Sequence, residues 1–223
     1  MVDAELTGPG DAAPLRQLML SYAPAPSRAA AAALLALDDR LGAILRGTRE
    51  PLVGQMRLTW WFEALCRLDG APAPAEPVLA ALAEHVLPHG VTGVELATVI
   101  DGWELVLPPE PLDGAQLDRY ARARGGMLFA WLARVCGAGE SDPAEVAGRG
   151  WALADLAVNV GDEALTERAR AMAGPLLDAA TGARWSRRGR MLGAMALIGK
   201  AELTPRSHSG LVARLMWHRI TGR

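Results

Sequence analysis

The sequence predicts an all-α protein, and three observations carry that expectation. Apolar residues recur at spacings of three and four along most of the chain. Clusters of β-branched residues alternating with polar ones, the mark of a half-buried strand, are missing. Glycine and proline mostly punctuate the periodic stretches, as they do where helices stop and start. With 223 residues, 51% hydrophobic and 22% charged, the chain has enough apolar material for one domain over 1–223 with a sizeable core. Residues 1–14 precede the periodic region and are expected to be flexible.

Taken in order, the first helix is expected from Ser27, a residue type that caps helix N-termini. It carries Leu34, Leu37, Leu41, Ile44 and Leu45 along one face as far as Gly47. Pro51 sits where a first helical turn accepts proline. Val53, Met56, Leu58, Trp60, Trp61, Ala64, Leu65 and Leu68 then carry a second helix to the stop signal Asp69-Gly70. The segment A-P-A-P-A-E-P reads as a linker. Helical periodicity returns over Val78 to Val86, Gly93 to Val106, Leu117 to Val135, Pro143 to Met172, Pro175 to Ala183 and Arg190 to Leu203. A last short piece runs from Leu211 to Ile220. No repeat of fixed period is visible.

Charge is spread unevenly. The formal net charge is -2, yet from Arg184 to Arg223 nine Lys/Arg stand against one acid, Glu202, leaving about -10 on the rest. A basic end of this kind predicts contact with an anionic membrane surface or an acidic partner; nucleic acid is not expected. Cys66 and Cys136 lie in apolar runs far apart, which reads as two core thiols in a reducing cytoplasmic setting. The stretch from Met1 to Pro14 carries Asp3, Glu5 and Asp11 and lacks the pattern of a secretory signal. No uninterrupted apolar run reaches the roughly 18 residues of a spanning helix, so membrane contact would be peripheral.

The run A-L-L-A-L-D-D-R-L-G-A-I-L-R, residues 33 to 46, raises the question of a metal site. Two carboxylates on one helix converge only at spacing three or four, and adjacent residues point about 100° apart. Asp38 falls on the flank of the apolar face and Asp39 nearly opposite it, with no carboxylate one turn away from either. On this helix alone the pair reads as a solvated face, with Asp39 placed to pair with Arg46 or a neighbour. A second polar face follows at spacing four, Asp155, Asn159, Glu163 and Glu167, with Asp162, Thr166 and Arg170 beside it. It admits a single weak cation site or ordinary pairing of Glu163 or Asp162 with Arg170 or Arg168. His85, His89, His208 and His218 are scattered and form no ligand pattern.

The segment Q-M-R-L-T-W-W-F-E-A-L, residues 55 to 65, resembles the Arg-Leu-x-Trp-Trp-x-x-x-Leu signature of the squalene and phytoene synthase family. The Leu-rich helix ending in Leu41, Leu117-Asp-Arg-Tyr120 followed by Gly125-Gly126, the Gly150-Trp-Ala-Leu helix and the closing stretch from Leu215 to Arg223 are similar to that family in the same order. The resemblance runs from about Leu15 to the C-terminus. It implies an isoprenoid synthase-like helical bundle around a central cavity.

That family's enzymes join two prenyl diphosphates head to head, with magnesium held by two Asp-rich motifs on facing helices. Loss of diphosphate into a low-dielectric cavity needs that neutralisation. In register with the first motif, the acidic positions fall on Gly42, Ala43 and Arg46, the last reversed in charge. Around the second they fall on Asn159 and Glu163, or in another register on Gly161 and Leu165. Neither register keeps two aspartates.

A branch of the family is similar in keeping the Trp-Trp signature and losing the aspartates, and it includes an assembly factor of respiratory complex I. The resemblance therefore implies a non-catalytic prenyl-lipid-binding or respiratory-complex assembly protein without a cofactor, cytoplasmic and peripheral to the inner membrane. Its partners would be an isoprenoid ligand and a respiratory-complex subunit or an anionic membrane surface. Arg57, Trp60 and Trp61 would be cavity residues, joined by the Asp155 and Asn159 face. Because Trp60 and Trp61 point about 100° apart, one can line the cavity while the other packs outward. Two alternatives stand beside this reading. One is an active farnesyl or geranylgeranyl diphosphate transferase with a displaced magnesium site drawn from Asp38, Asp155 and Glu163; the other is a helical scaffold whose cavity has closed.

Overall fold

The computed structural model describes residues 12–48, 50–107, 110, 112–203 and 210–223, and among them there are twelve α-helices and no strand. They are α1 (Ala12–Ser21), α2 (Arg28–Arg46), α3 (Pro51–Arg67), α4 (Pro77–His85), α5 (Gly93–Ala97) and α6 (Val99–Glu104). After these come α7 (Gly114–Tyr120), α8 (Met127–Cys136), α9 (Ala144–Asn159), α10 (Glu163–Gly182), α11 (Arg190–Glu202) and α12 (Leu211–Thr221). The stretch expected to be flexible lies outside the described residues up to 11, and its remainder opens α1. His208 also lies outside them.

α9 is the middle of the bundle. Its buried residues are mostly small, Ala147, Gly148, Gly150, Ala152, Ala154 and Ala157 with Leu153, which lets α8, α10 and α11 all pack closely on it. A Cβ on Gly125 would stand 2.0 Å from the Gly148 carbonyl oxygen, and one on Gly148 would stand 2.1 Å from that of Gly125. Glycine at both positions is what allows the two backbones to touch. α2 packs against α3, α4, α6 and α8, and buries Leu34, Leu35, Leu37, Leu41 and Ile44 together with a charged residue, Asp38. Helix starts are capped locally. Glu76 accepts from Val78 N and Leu79 N at the start of α4, while Thr92 with Glu95 and Asp113 with Gln116 form capping boxes for α5 and α7.

The structure departs from the expected helices in several places, beginning with α1, which precedes the helix expected from Ser27. Ser27 does not cap α2: its backbone is helical, and its hydroxyl donates to the buried Val135 carbonyl at 2.7 Å. The stretch expected as one helix from Pro143 to Met172 breaks after Asn159. Val160 is extended there, and Asp162 caps α10 by accepting from Leu165 N at 2.7 Å. Gly161 and a capping aspartate favour that break. Pro175, read as a helix start, lies inside α10. Burial of Leu165, Ala169, Ala173, Leu177 and Ala180 along one face offsets the roughly 3 kcal/mol that an interior proline costs. The helix expected over Gly93 to Val106 is two short ones, α5 and α6.

Cys66 and Cys136 are both free, and burial pushes the Cys136 thiol up to about 11. No helix of the described residues is long and apolar enough to cross a membrane.

Candidate functional site

α7 and α8 make one helical segment interrupted by a wide π turn over Ala121–Gly126. Such a turn re-aims the side chains around it and recurs at functional sites. Gly125 in this turn is pressed on Gly148 of α9, and a Cβ on Gly102 of α6 would stand 2.9 Å from the backbone nitrogen of Arg124. Arg124 is thereby set among α2, α6 and α9 with only 3% of its surface exposed.

Every nitrogen of the guanidinium has a partner. Nε and Nη2 donate to the two oxygens of Asp38, each at 2.8 Å. Nη1 donates at 2.6 Å to Asp155 Oδ2 and at 2.6 Å to the Tyr120 hydroxyl oxygen. The Trp103 and Trp151 rings lie 4.2 Å and 4.9 Å from the guanidinium carbon. The planar fork matches the carboxylate of Asp38, and the indole faces supply favourable quadrupoles. Burial works against the arginine's charge, but Asp155 and Asp38 hold its pKa well above the ordinary value, so it stays ionised. Burial pushes the Tyr120 hydroxyl up to about 12, which keeps it protonated.

Against this cluster lies a cavity of about 390 Å³. α2 contributes Gly42, Leu45 and Arg46, α9 contributes Asp155, Leu156 and Asn159, and Trp103, Tyr120 and Arg124 close the wall between them. Val106, Leu112, Val160 and Leu165 make the remainder mostly apolar, with Glu110 and Asp162 also on its lining. Asn159 Nδ2 donates to Asp155 Oδ1 at 3.1 Å and to the Asp155 carbonyl at 2.8 Å. Glu202 stands close enough to feel Asp155: burial, and then that negative charge, push its carboxyl up to about 7.

Several residues singled out in the sequence meet here and others do not. Asp155 and Asn159 line the cavity, as do Gly42 and Arg46, the outer positions matched to the family's first Asp-rich motif. Arg57, Trp60 and Trp61 instead line a separate groove of about 410 Å³ with Arg40, Ala43 and Ile44. Trp61 is buried at 3% exposure and Trp60 is 48% exposed, their rings meeting edge to face. Arg57 donates to Thr48 Oγ1 at 3.2 Å, while Glu63 pairs with Arg67. Asp39 pairs with Arg16 rather than Arg46, and Asp38, expected on a solvated face, is buried against Arg124. Asp38 and Asp155 are brought together, but around Arg124, and Glu163 is exposed in the first turn of α10. The break after Asn159 is what separates Glu163 from the Asp155 face.

These residues do not fit the magnesium that the family implies. Both Asp38 oxygens accept from Arg124, and those of Asp155 accept from Arg124 and Asn159. A divalent ion between the two would meet a guanidinium of like charge within a few ångströms, at a buried site where repulsion is poorly screened. Among the described residues no group of three His, Cys, Asp or Glu side chains could hold a metal. Arg124 itself went unnoticed in the sequence, although a signal was present. At about 100° per residue it falls on the same face as the buried Leu117, Tyr120 and Leu128.

The family model described as squalene/phytoene synthase matches residues 15–172. That span takes in Asp38, Arg124 and Asp155. No curated protein and no solved structure matches the chain. The match covers well over half of the sequence, and the all-helical architecture agrees with the isoprenoid synthase-like fold. The chain therefore belongs to the squalene/phytoene synthase family.

Proposed function

We propose that this chain is a non-catalytic member of its family that binds an uncharged isoprenoid lipid in the cavity beside Arg124. The observation that carries the reading is the guanidinium bonded to both Asp38 and Asp155, which occupies the carboxylates that a catalytic cation would need. The charge of the cavity supports the uncharged ligand. Arg124 and Arg46 stand against four carboxylates, Asp38, Asp155, Asp162 and Glu110, a net negative surrounding that does not attract a diphosphate. At about 390 Å³ the cavity is at the small end of the range for single small-molecule sites, about 300–1,000 Å³, whereas a head-to-head joining must hold two chains at once.

Two measurements test this. Purified protein with magnesium and farnesyl or geranylgeranyl diphosphate should release no pyrophosphate above a heat-killed control. Release that disappears in Asp155→Ala would overturn the non-catalytic reading. Farnesol or a short-chain prenyl quinone should raise the thermal midpoint by mass action, and farnesyl diphosphate should not. An equal shift with the diphosphate would defeat the uncharged-ligand assignment; no shift with any of the three would favour a closed scaffold. For the biological setting we propose assembly of a respiratory complex, on the resemblance of the chain to the family branch without aspartates. Respiratory-complex assembly that is normal in cells lacking the protein would remove that part of the reading.

A further inference from the structure

α12 presents its apolar residues to solvent rather than to the core. Only Leu215 and His218 of this helix are buried, while Val212, Met216, Trp217 and Ile220 are between 61% and 72% exposed. At about 100° per residue, those four span an arc of about 140° opposite the buried side, with Arg219 at one edge and Arg214 at the other. The edges continue into two grooves. Beside Arg219, a groove of about 410 Å³ is lined by Arg187, Arg188, Arg190 and Tyr22. Beside Arg214, Trp217 lines a smaller one of about 220 Å³ with Lys200 and Arg223. Among the described residues neither groove has an acidic lining residue. Arg190 is committed to the carbonyls of Arg219 and Ile220 at the end of α12, and Lys200 to Asp178, which leaves Arg187, Arg188, Arg214, Arg219 and Arg223 as the outward cations.

We propose that this face of α12 docks on an anionic membrane surface, with Val212, Met216, Trp217 and Ile220 entering the headgroup boundary and the flanking arginines meeting lipid phosphates. An interfacial helix needs this arrangement, an apolar stripe bordered by cations whose long stems let the charge reach upward while the stem stays apolar. Tryptophan at the margin suits the headgroup level. A second copy of the chain is a poorer occupant. Two such faces brought together about a two-fold axis would crowd arginine edges against each other with no acid to relieve them. This surface is separate from the cavity, so the proposal stands or falls independently of what the cavity binds.

The test is flotation of the whole chain with phosphatidylcholine vesicles with and without phosphatidylglycerol, over a salt series. Recovery should require phosphatidylglycerol and fall as salt rises. Met216→Asp with Ile220→Asp should abolish it. Arg187→Gln with Arg188→Gln should weaken it by about fivefold per arginine and flatten the salt dependence. All four side chains are exposed, so the fold should persist; unchanged far-ultraviolet dichroism confirms it, and the milder Met216→Ala serves if it does not. Equal recovery on neutral vesicles, or a stripe variant that floats like the parent, would overturn the proposal. So would a solution dimer that the stripe substitutions dissolve, since the face would then belong to a second copy.

Discussion

Arg124 carries a full charge where water is nearly absent, and it is tolerated only because two carboxylates and a hydroxyl share it. Removing it leaves Asp38 buried and uncompensated. Arg124→Met should therefore lower unfolding stability by about 3–5 kcal/mol, read by urea titration. The double variant with Asp38→Asn should lose clearly less than the two single losses added together, because the same interaction is counted in both. Simple additivity would mean that the pair does not couple. Glu202 gives a second test. Its carboxyl, raised to about 7, holds a proton in the folded state that the unfolded chain releases above its ordinary value of about 4.5. The stability it contributes is thus complete below about 4.5 and is lost as pH rises through about 7. The thermal midpoint should decline across that window in the parent and less in Glu202→Gln; superimposable curves would contradict the assignment. The partner of Asp38 lies 86 residues away, a distance over which helical periodicity carries no information. The placement of Asp38 on the flank of its helix was legible, whereas the arginine that fills the flank was not.

Helices α2, α3, α4 and α11 stand close to where the apolar spacing puts them, because burial of one face decides both their existence and their orientation. Two of the misplaced features are those where a local signal met a stronger tertiary one. Pro175 stays inside α10 because its helix face is buried on both sides of it, and Ser27 gives up capping for a buried carbonyl. The Trp-Trp pair on α3 separates packing from exposure. Trp61→Ala should cost about 3–5 kcal/mol, as large aromatic truncations in cores do, and Trp60→Ala well under half of that, by the same urea titration. Matching losses would mean that Trp60 is packed as tightly as Trp61. The contact of α9 with the π turn is less forgiving. Gly148→Ala puts a methyl group 2.1 Å from a backbone oxygen, so it should lower stability by about 1–3 kcal/mol or more. Because the shift moves Arg124, it should also weaken any ligand-induced rise in the midpoint.

At the scale of the whole molecule, two surfaces divide the chemistry: a recessed, net negative cavity between α2 and α9, and an outward, cationic and apolar face on α12. On the two proposals above, a lipid partitioned in a bilayer is held by the first while the second keeps the protein at the bilayer surface. The all-helical class was readable from periodicity, and the family from a few spaced motifs. The cavity was not, because its lining is drawn from five separate helices and the segments between them. The tethered cation also changes how the protein answers to its surroundings. A metal ion occupies its site to a degree set by its free concentration, and a chelator strips it. A guanidinium covalently carried by the chain has no dissociation step, so Asp38 and Asp155 keep their shared positive partner whatever the supply of divalent ions. The unfolding midpoint should be the same in EDTA as in excess magnesium, and a rise with magnesium would show that ions reach the carboxylates. A protein built this way should keep its shape through magnesium starvation.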